Sequence, residues 1–532
     1  MVAKKISMEK ISRKQAVPII MGFIFFVISG CAAVGPDYKP ISPDVPPIWH
    51  TDLHYGLSSS ISQNNHTTLS RWWVLLKDPI LKNLEQEAVK NNPDIKQAIE
   101  KLREVRALRG ISYSGLFPSL NSSASAVRTR SSKNAGYGNI NDFYQAGLDA
   151  DWELDLFGGV RRSIEAADAD IAAKHYSLDN VLVSLTAEVG LNYVNIRTLQ
   201  ARLTTAKNNL TLQQYTYELN KSRYRAGLID ELAVQQSRYN MEQTRSQIPQ
   251  LKNELSTSMN HIAVLLGKKP GSLEKKLSVI KPVPAVPITV AVGIPAEAMR
   301  QRPDIRQAEK ELAAATARIG VATADLYPKL TLKGSIGLES ITMADLPKWA
   351  SRTFSTGPSI SWNIFDANAV HRNIDVQTSR QKQALIHYHI IVLKALEEVE
   401  NALNSFVKEQ DRHKALVSAA KAAGSAVLIA KDRFAAGLID FSSVIDAQRS
   451  LFVFQDELDQ STGAVTTDLI RLYKALGGGW VSEYKTKKSN KNKLQDNSLK
   501  REAWPKQKPE NYEHRLSKNS WMQKVRKFQQ ED

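Results

Sequence analysis

Set against itself at an offset of 210 residues, the chain matches at widely spaced anchors. Pro93-Asp94-Ile95 falls on Pro303-Asp304-Ile305, Gly110 on Gly320, Phe117-Pro118 on Tyr327-Pro328, Trp152 on Trp362, and Leu266-Gly267 on Leu476-Gly477. The sharpest match sets Lys221-Ser222-Arg223-Tyr224-Arg225-Ala226-Gly227-Leu228-Ile229-Asp230 on Lys431-Asp432-Arg433-Phe434-Ala435-Ala436-Gly437-Leu438-Ile439-Asp440. This period is far above the about 20–50 residues of solenoid repeats, so the chain reads as two copies of one large unit. Residues 71–280 and 296–480 are the two copies. Between them, residues 281–295 begin with Lys281-Pro282-Val283-Pro284-Ala285-Val286-Pro287, a stiff extended linker.

Each copy carries two strand patterns, at about 117–130 and 143–157 in the first and about 328–340 and 353–365 in the second. From Tyr144, apolar Tyr144, Ala146, Leu148, Ala150, Trp152, Leu154 and Leu156 alternate with Gln145, Gly147, Asp149, Asp151, Glu153 and Asp155. Such a strand has one apolar face and one acidic face. Leu330, Leu332, Ile336 and Leu338 alternate in the same way with Lys329, Thr331, Lys333, Ser335 and Glu339. The pattern fits a half-buried sheet or the wall of a barrel that is apolar outside and polar inside.

Helices fill the rest of each copy, at about 159–226 and 230–266 and again at about 366–436 and 440–476. No proline occurs from Gly159 to Ile248, and Leu182, Val189, Ile196, Leu203, Leu210 and Tyr217 recur every seven residues. A strict heptad implies a left-handed supercoil. A single helix from Ile164 to Ala226 is on the order of 90 Å long, far more than a compact domain needs. Gly227 and Gly437 sit where a left-handed residue ends a helix, and Asp230 and Asp440 where an N-cap begins the next. The Gly-Leu-Ile-Asp turn is a hairpin connection, with or without a partner docked on its exposed apolar pair.

Four strands cannot close a barrel, for which about eight is the smallest number. Two chains would supply eight strands and a filled interior. Three would supply twelve and a lumen, which a transport role favours.

The N-terminus is an export signal. Lys4, Lys5, Lys10, Arg13 and Lys14 precede an apolar run from Ala16 to Ile28, too short to span a bilayer. The run ends at Ile28-Ser29-Gly30-Cys31, which resembles the bacterial lipoprotein processing signal. That resemblance makes 1–30 a signal peptide, Cys31 the acylated N-terminus of the mature chain, and 31–70 a lipid-anchored extended segment. Ala32 in place of Asp implies sorting to the outer membrane. Several acyl chains on one Cys give a stable anchor where one would be marginal.

Charge and composition exclude other classes. Of the net +17, residues 481–532 hold +7 and residues 1–30 hold +4, leaving only +6 for the body, so a nucleic-acid partner is not expected. The basic tail 481–532 reads as disordered. One cysteine allows no intrachain disulfide and no cysteine metal cluster. His387 and His389, two apart on a helix, point to different faces and cannot chelate. Gly477-Gly478-Gly479 lacks the Lys-Ser/Thr of a phosphate loop. No enzyme, cofactor or resident metal is expected.

Taken together, the motifs resemble the outer-membrane factor (TolC-like) family, in the NodT-type lipoprotein branch that serves RND-type multidrug and metal efflux. They run in the family's order from Cys31 and Val34-Gly35-Pro36-Asp37-Tyr38 through Trp72-Trp73, Asp78-Pro79 and Asn92-Pro93-Asp94. They continue through Trp152-Glu153-Leu154-Asp155-Leu156-Phe157-Gly158 with Arg161-Arg162, then Arg302-Pro303-Asp304, Asp446-Ala447-Gln448-Arg449 and Leu476-Gly477-Gly478-Gly479-Trp480.

The resemblance implies an α+β membrane protein: a homotrimer with a 12-stranded transmembrane β-barrel, four strands per chain, continued by a long α-helical coiled-coil tunnel in the periplasm. It further implies passive conduction of drugs, metal ions or other small molecules, with a periplasmic adaptor (membrane fusion protein) and an inner-membrane RND-type pump as partners and outer-membrane lipid around the barrel. The family's adaptor-docking tips fall on Arg223, Gly227, Leu228 and Ile229 and on Arg433, Gly437, Leu438 and Ile439. Asp446 matches an acidic position at the family's closed aperture, where three copies would attract cations. It also reads as an ordinary carboxylate early in a helix. Asp149, Asp151, Glu153 and Asp155 would line the barrel lumen. The rival reading is a lipid-anchored periplasmic coiled-coil adaptor or scaffold, which would carry one hairpin rather than two.

Overall fold

The computed structural model describes residues 33–59, 69–135, 137–287 and 290–480. The signal peptide, Cys31 and the tail 481–532 lie outside the described residues. The described elements, in order, are β1 (Leu57–Ser58), a 3-10 turn (Trp72–Leu76), α1 (Pro79–Asn91), α2 (Pro93–Ser114), β2 (Ser119–Arg130), β3 (Ile140–Leu154), α3 (Gly159–Arg225) and α4 (Glu231–Leu265). After them come α5 (Glu274–Leu277), β4 (Val290–Ala291), α6 (Pro295–Gln301), α7 (Pro303–Ala324), β5 (Lys329–Ser340), a 3-10 turn (Trp349–Ser351), β6 (Arg352–Ser361), α8 (Ala369–Ala435) and α9 (Phe441–Ala475).

The duplication is structural as well as sequential. α2 and α7 have 22 residues each, β2 and β5 have 12, α3 and α8 have 67, and α4 and α9 have 35. Every pair is displaced by the same 210 positions. The exceptions are β3 against β6, with 15 and 10 residues, and α1 against α6, with 13 and 7. β3 stops at Leu154 and β6 at Ser361, so Asp155, Trp362 and Ile364 lie past the strand ends.

Local chemistry explains the boundaries. Asp78 caps α1, its Oδ1 accepting from the amides of Ile80 and Leu81, with Pro79 in the first turn. Asn92 does the same for α2, accepting from Asp94 and Ile95. Pro249 lies inside α4 and does not end it. An interior proline costs about 3 kcal/mol, which the helix offsets by burying Leu251 beside Leu199, Leu203, Ala206 and Phe452.

The chain forms two compact units. The first comprises the described residues up to Asp44, Ala98–Leu178 and Arg302–Lys394. Its centre is a four-stranded antiparallel sheet in the order β2-β3-β5-β6. Beside the sheet, Phe157 stacks on Tyr327 with ring centroids 4.6 Å apart. Trp152 and Trp362, one repeat apart, donate their indole N–H to Leu116 O and Leu326 O at 3.0 and 3.1 Å.

The segment after Ala33 is strapped to this unit by the buried Arg162. Its Nε donates to Val34 O at 3.0 Å, and one terminal nitrogen reaches Ala33 O, Gly35 O and Asp37 Oδ1. The other terminal nitrogen pairs with Glu165 at 2.8 Å. Gly35 has φ +89°, and a Cβ there would sit 2.4 Å from the Cα of Gly320, so this crossing tolerates only glycine. Gly110, the repeat mate of Gly320, has open space around it.

The second unit, Val45–Gln97, Asp179–Gln301 and Ala395 to Trp480, is helical apart from the two-residue parallel pairing of β1 with β4. Trp72 is fully buried, stacks on Tyr473 and presses on Gly190. Leu182, Val189, Ile196 and Leu203 are buried as the heptad requires. Beyond them the expected seam does not hold: Leu210 and Tyr217 are only half-buried, while Asn209, Gln213, Thr216 and Asn220 face inward. Two successive steps of three residues, Leu203 to Ala206 to Asn209, replace the three-then-four step of a heptad and move the buried stripe one residue back. Asn209 is met there by Gln455, and Thr216 by Gln448.

Candidate functional site

The sheet has two chemically distinct faces, assigned from the register. Asp149 lies opposite Asn121 and Ser335, Asp151 opposite Ser119 and Lys333, and Glu153 opposite Thr331. That face also holds Lys329, Glu339, Ser123, Ser125, Thr353, Ser355, Ser359 and Ser361, so it carries four carboxylates against two lysines. The other face holds Leu120, Ala124 and Ala126 from β2, Tyr144, Leu148, Trp152 and Leu154 from β3, Leu330, Leu332, Ile336 and Leu338 from β5, and Phe354 and Ile360 from β6. Phe354 is 82% exposed and Ile336 65%, in the middle of a sheet that ought to hide them. No helix among the described residues is long and apolar enough to cross a membrane. The exposed apolar belt lies instead on the strands.

Asp155, expected among the polar strand residues, has a different job. It lies just past β3, its Oδ1 accepting from Val160 N at 3.0 Å and its Oδ2 from Arg161 N at 2.9 Å. The Arg161 guanidinium pairs with it at 3.1 Å. A carboxylate among the free amides at the start of α3 is the expected partner of a helix N-terminus.

At the C-terminal ends of α3 and α8, the two turns are built alike. Gly227 and Gly437 both have φ +71°, with empty space where a Cβ would go, so backbone conformation alone asks for glycine. Leu228 N donates to Arg223 O and Gly227 N to Tyr224 O; Leu438 N donates to Arg433 O and Gly437 N to Phe434 O. This double bond set satisfies the last carbonyls of α3 and α8. Asp230 caps α4 through its side chain, whereas Asp440 holds the N-cap position of α9 without a side-chain bond.

The eight tip residues do not present themselves equally. Leu228 and Leu438 are 71% and 72% exposed. Arg433 is exposed as well. Ile229 packs instead on the cluster of Ala233, Phe441, Val444 and Ile445, and the Arg223 guanidinium lies over the Phe434 ring at 5.2 Å. Asp446 is in the second turn of α9, opposite the buried Val444 and Ile445, with its side chain 75% exposed and Arg449 4.0 Å away. Arg449 also donates to Tyr239 Oη at 3.4 Å. Tyr239 carried no sequence signal of its own, and neither Arg449 nor Arg162 had one beyond its motif.

A sheet with one lipid-compatible face, one acidic face and two open edges, followed by paired long helices, defines a chain that contributes part of the wall of an outer-membrane channel. Comparison with known proteins agrees. The family model described as "Outer membrane efflux protein" matches residues 84–268 and 294–478. The nodulation protein T of Rhizobium leguminosarum bv. trifolii is 31% identical over 465 residues, 86% of this chain and 96% of that protein. The toluene efflux pump outer membrane protein TtgI of Pseudomonas putida is 32% identical over 474 residues, 86% of this chain and 97% of its own. Among solved structures, the outer-membrane channel OprN superposes with a TM-score of 0.78 at 34% identity, covering 84% of this chain and all of OprN. CusC gives 0.72 at 27%, with the same coverage.

The chain belongs to the outer membrane efflux protein family. It is an outer-membrane channel component of an efflux system, and the adaptor or scaffold reading is set aside.

Proposed function

We propose that three copies of this chain close a 12-stranded barrel and conduct small molecules passively out of the cell, with energy supplied by an inner-membrane RND-type pump through a periplasmic adaptor. The observation that carries this reading is the sheet: its two faces are sorted into apolar and acidic, and β2 and β6 each have a single partner among the described strands. An open edge of unpaired amides and carbonyls is not tolerated in lipid, so β6 of one chain must pair with β2 of the next until the ring closes. Three chains leave a lumen lined by Asp149, Asp151 and Glu153. Relatives named for toluene, solvent and cation efflux support small molecules and metal ions as the cargo class. Selection rests with the pump, and this chain supplies a polar duct without chemistry of its own.

Cys31, acylated, anchors the mature chain. The exposed Leu228 and Leu438, carried on Gly227 and Gly437 with Arg433 beside them, meet the adaptor. Ile229 and Arg223 brace the turns that present them, and Ile439 meets the adaptor with the two leucines. Asp446, repeated around a threefold axis, forms a cation-attracting constriction, because like charges crowded in a narrow pore favour a counter-ion.

The test is the protein mass of the mature chain in mild detergent, with the detergent contribution subtracted, together with efflux in a strain lacking its own channel. Three copies and restored efflux are expected. A stable monomer would leave four strands with no way to close.

A further inference from the structure

Only four residues on the apolar face of the sheet are charged, and all four sit at the hairpin ends of the strands, away from the long helices: Arg128 and Arg130 on β2, Asp142 on β3 and Arg352 on β6. Arg128 and Asp142 form a two-bond pair at 2.6 and 2.7 Å. Arg130 and Arg352 have no carboxylate partner among the described residues, and Arg352 lies against the 79%-exposed Trp349, donating its Nε–H to Trp349 O. Phe354 and Tyr144 follow on the same face one step towards the middle of the sheet.

The stagger of the sheet brings these arginines together between chains. From Ser119, at the start of β2, the register runs through Asp151 and Lys333 to Gly357, four residues short of the end of β6 at Ser361. A closed barrel carries the same stagger all the way round. The register from Ala124 through Ala146 and Leu338 reaches Arg352. The next strand, β2 of the neighbouring chain, therefore meets Arg352 several residues beyond Ala124, at the level of its Arg128 and Arg130.

We propose that each of the three seams between chains binds the phosphorylated headgroup of a glycolipid in the outer leaflet. Arg130 of one chain and Arg352 of its neighbour hold the phosphate, and Phe354 and Tyr144 lie against the acyl chains. This rests on the trimeric-barrel reading, which places the hairpin ends at the outer surface. The chemistry favours phosphate: guanidinium groups fork onto its oxygens, and aromatic and cationic side chains mark the membrane interface. Side chains of this parity face lipid, not cargo.

The experiment compares the wild-type trimer with Arg130→Gln/Arg352→Gln in detergent. The probes are bisphosphorylated lipid A, the same lipid dephosphorylated, and inorganic phosphate. Wild type is expected to bind the bisphosphorylated lipid about tenfold or more tightly than the variant does, with Arg130→Lys/Arg352→Lys in between, and to discriminate against the dephosphorylated lipid by a similar factor. Equal affinity in wild type and glutamine variant would overturn the site. Equal affinity for the dephosphorylated lipid, or competition by inorganic phosphate at the lipid's own concentration, would also overturn it. Light scattering on the same samples separates the two levels: a trimer without phosphate-dependent binding refutes the seam alone, whereas a monomer refutes the barrel and the seam with it.

Discussion

Tyr239 and Arg449 occupy the same position in the two repeats, 210 residues apart, and they touch: Arg449 donates to Tyr239 Oη at 3.4 Å. Duplication has thus turned one ancestral position into two halves of a link between α4 and α9, and the same Arg449 sits 4.0 Å from Asp446. The link is exposed and long, worth about 1 kcal/mol or less per chain. In the proposed trimer three such links act together on the constriction proposed at Asp446. Arg449→Ala and Tyr239→Phe are each expected to raise the resting single-channel conductance in a planar bilayer and to sensitise cells to bulky antibiotics. Unchanged resting conductance in both variants would remove the link from the gate.

Leu438→Asp is expected to abolish efflux while leaving the trimer and its export intact, since the side chain is exposed and supports no core. Gly437→Pro should do the same, because proline cannot adopt the left-handed φ of +71°. Site-directed cross-linking to the adaptor should disappear in step with efflux. Normal efflux in both variants would move docking elsewhere.

Arg162→Ala removes five hydrogen bonds from a buried guanidinium and leaves the carbonyls of Ala33, Val34 and Gly35 without their donor. A loss of roughly 3 kcal/mol is expected, together with release of the segment after Ala33. Limited proteolysis near Val34–Asp37 reads this directly. Lysine cannot rescue it, having no planar fork of donors.

Gly190→Ala would place a methyl carbon 2.4 Å from Cη2 of the buried Trp72. Overpacking of this kind costs about 1–3 kcal/mol. The variant trimer should therefore unfold several degrees below wild type, and Gly424→Ala, whose new carbon would meet only one atom at 3.9 Å, serves as the control.

Glu85 is fully buried on α1 with neither carboxylate oxygen hydrogen-bonded, and burial holds its carboxyl well above the ordinary 4.5. As pH rises past that value, the unfolded chain releases this proton while the folded chain keeps it. The folded state then binds more protons, and stability falls with increasing pH. Glu85→Gln does not titrate. Its melting temperature relative to wild type should climb between pH 4 and pH 7, and a constant difference across that range would refute the assignment.

Much of the fold is legible along the chain because its determinants are local or periodic. Alternation in Tyr144–Leu154, the glycines at 227 and 437, and the offset of 210 need no knowledge of what lies across space. Asp155 shows one limit of such patterns: alternation does not say where a strand stops, and the start of α3 holds this carboxylate. The heptad at Leu210 and Tyr217 shows a second limit, since a repeat of apolar residues does not reveal the three-residue step from Ala206 to Asn209 that puts Asn209 and Gln213 in the seam.

The sequence by itself determined the repeat, the two faces of β3 and β5, the hairpin turns and the need for more than one chain, all of which follow from backbone sterics and from the periods of strand and helix. Only the tertiary structure decided which of two equivalent glycines receives the strap, Gly320 rather than Gly110, and that Arg162 holds it. It also decided which residues stand level across the sheet. Those outcomes depend on register and close approach between segments more than a hundred residues apart, where a shift of one position exchanges the two faces of a strand.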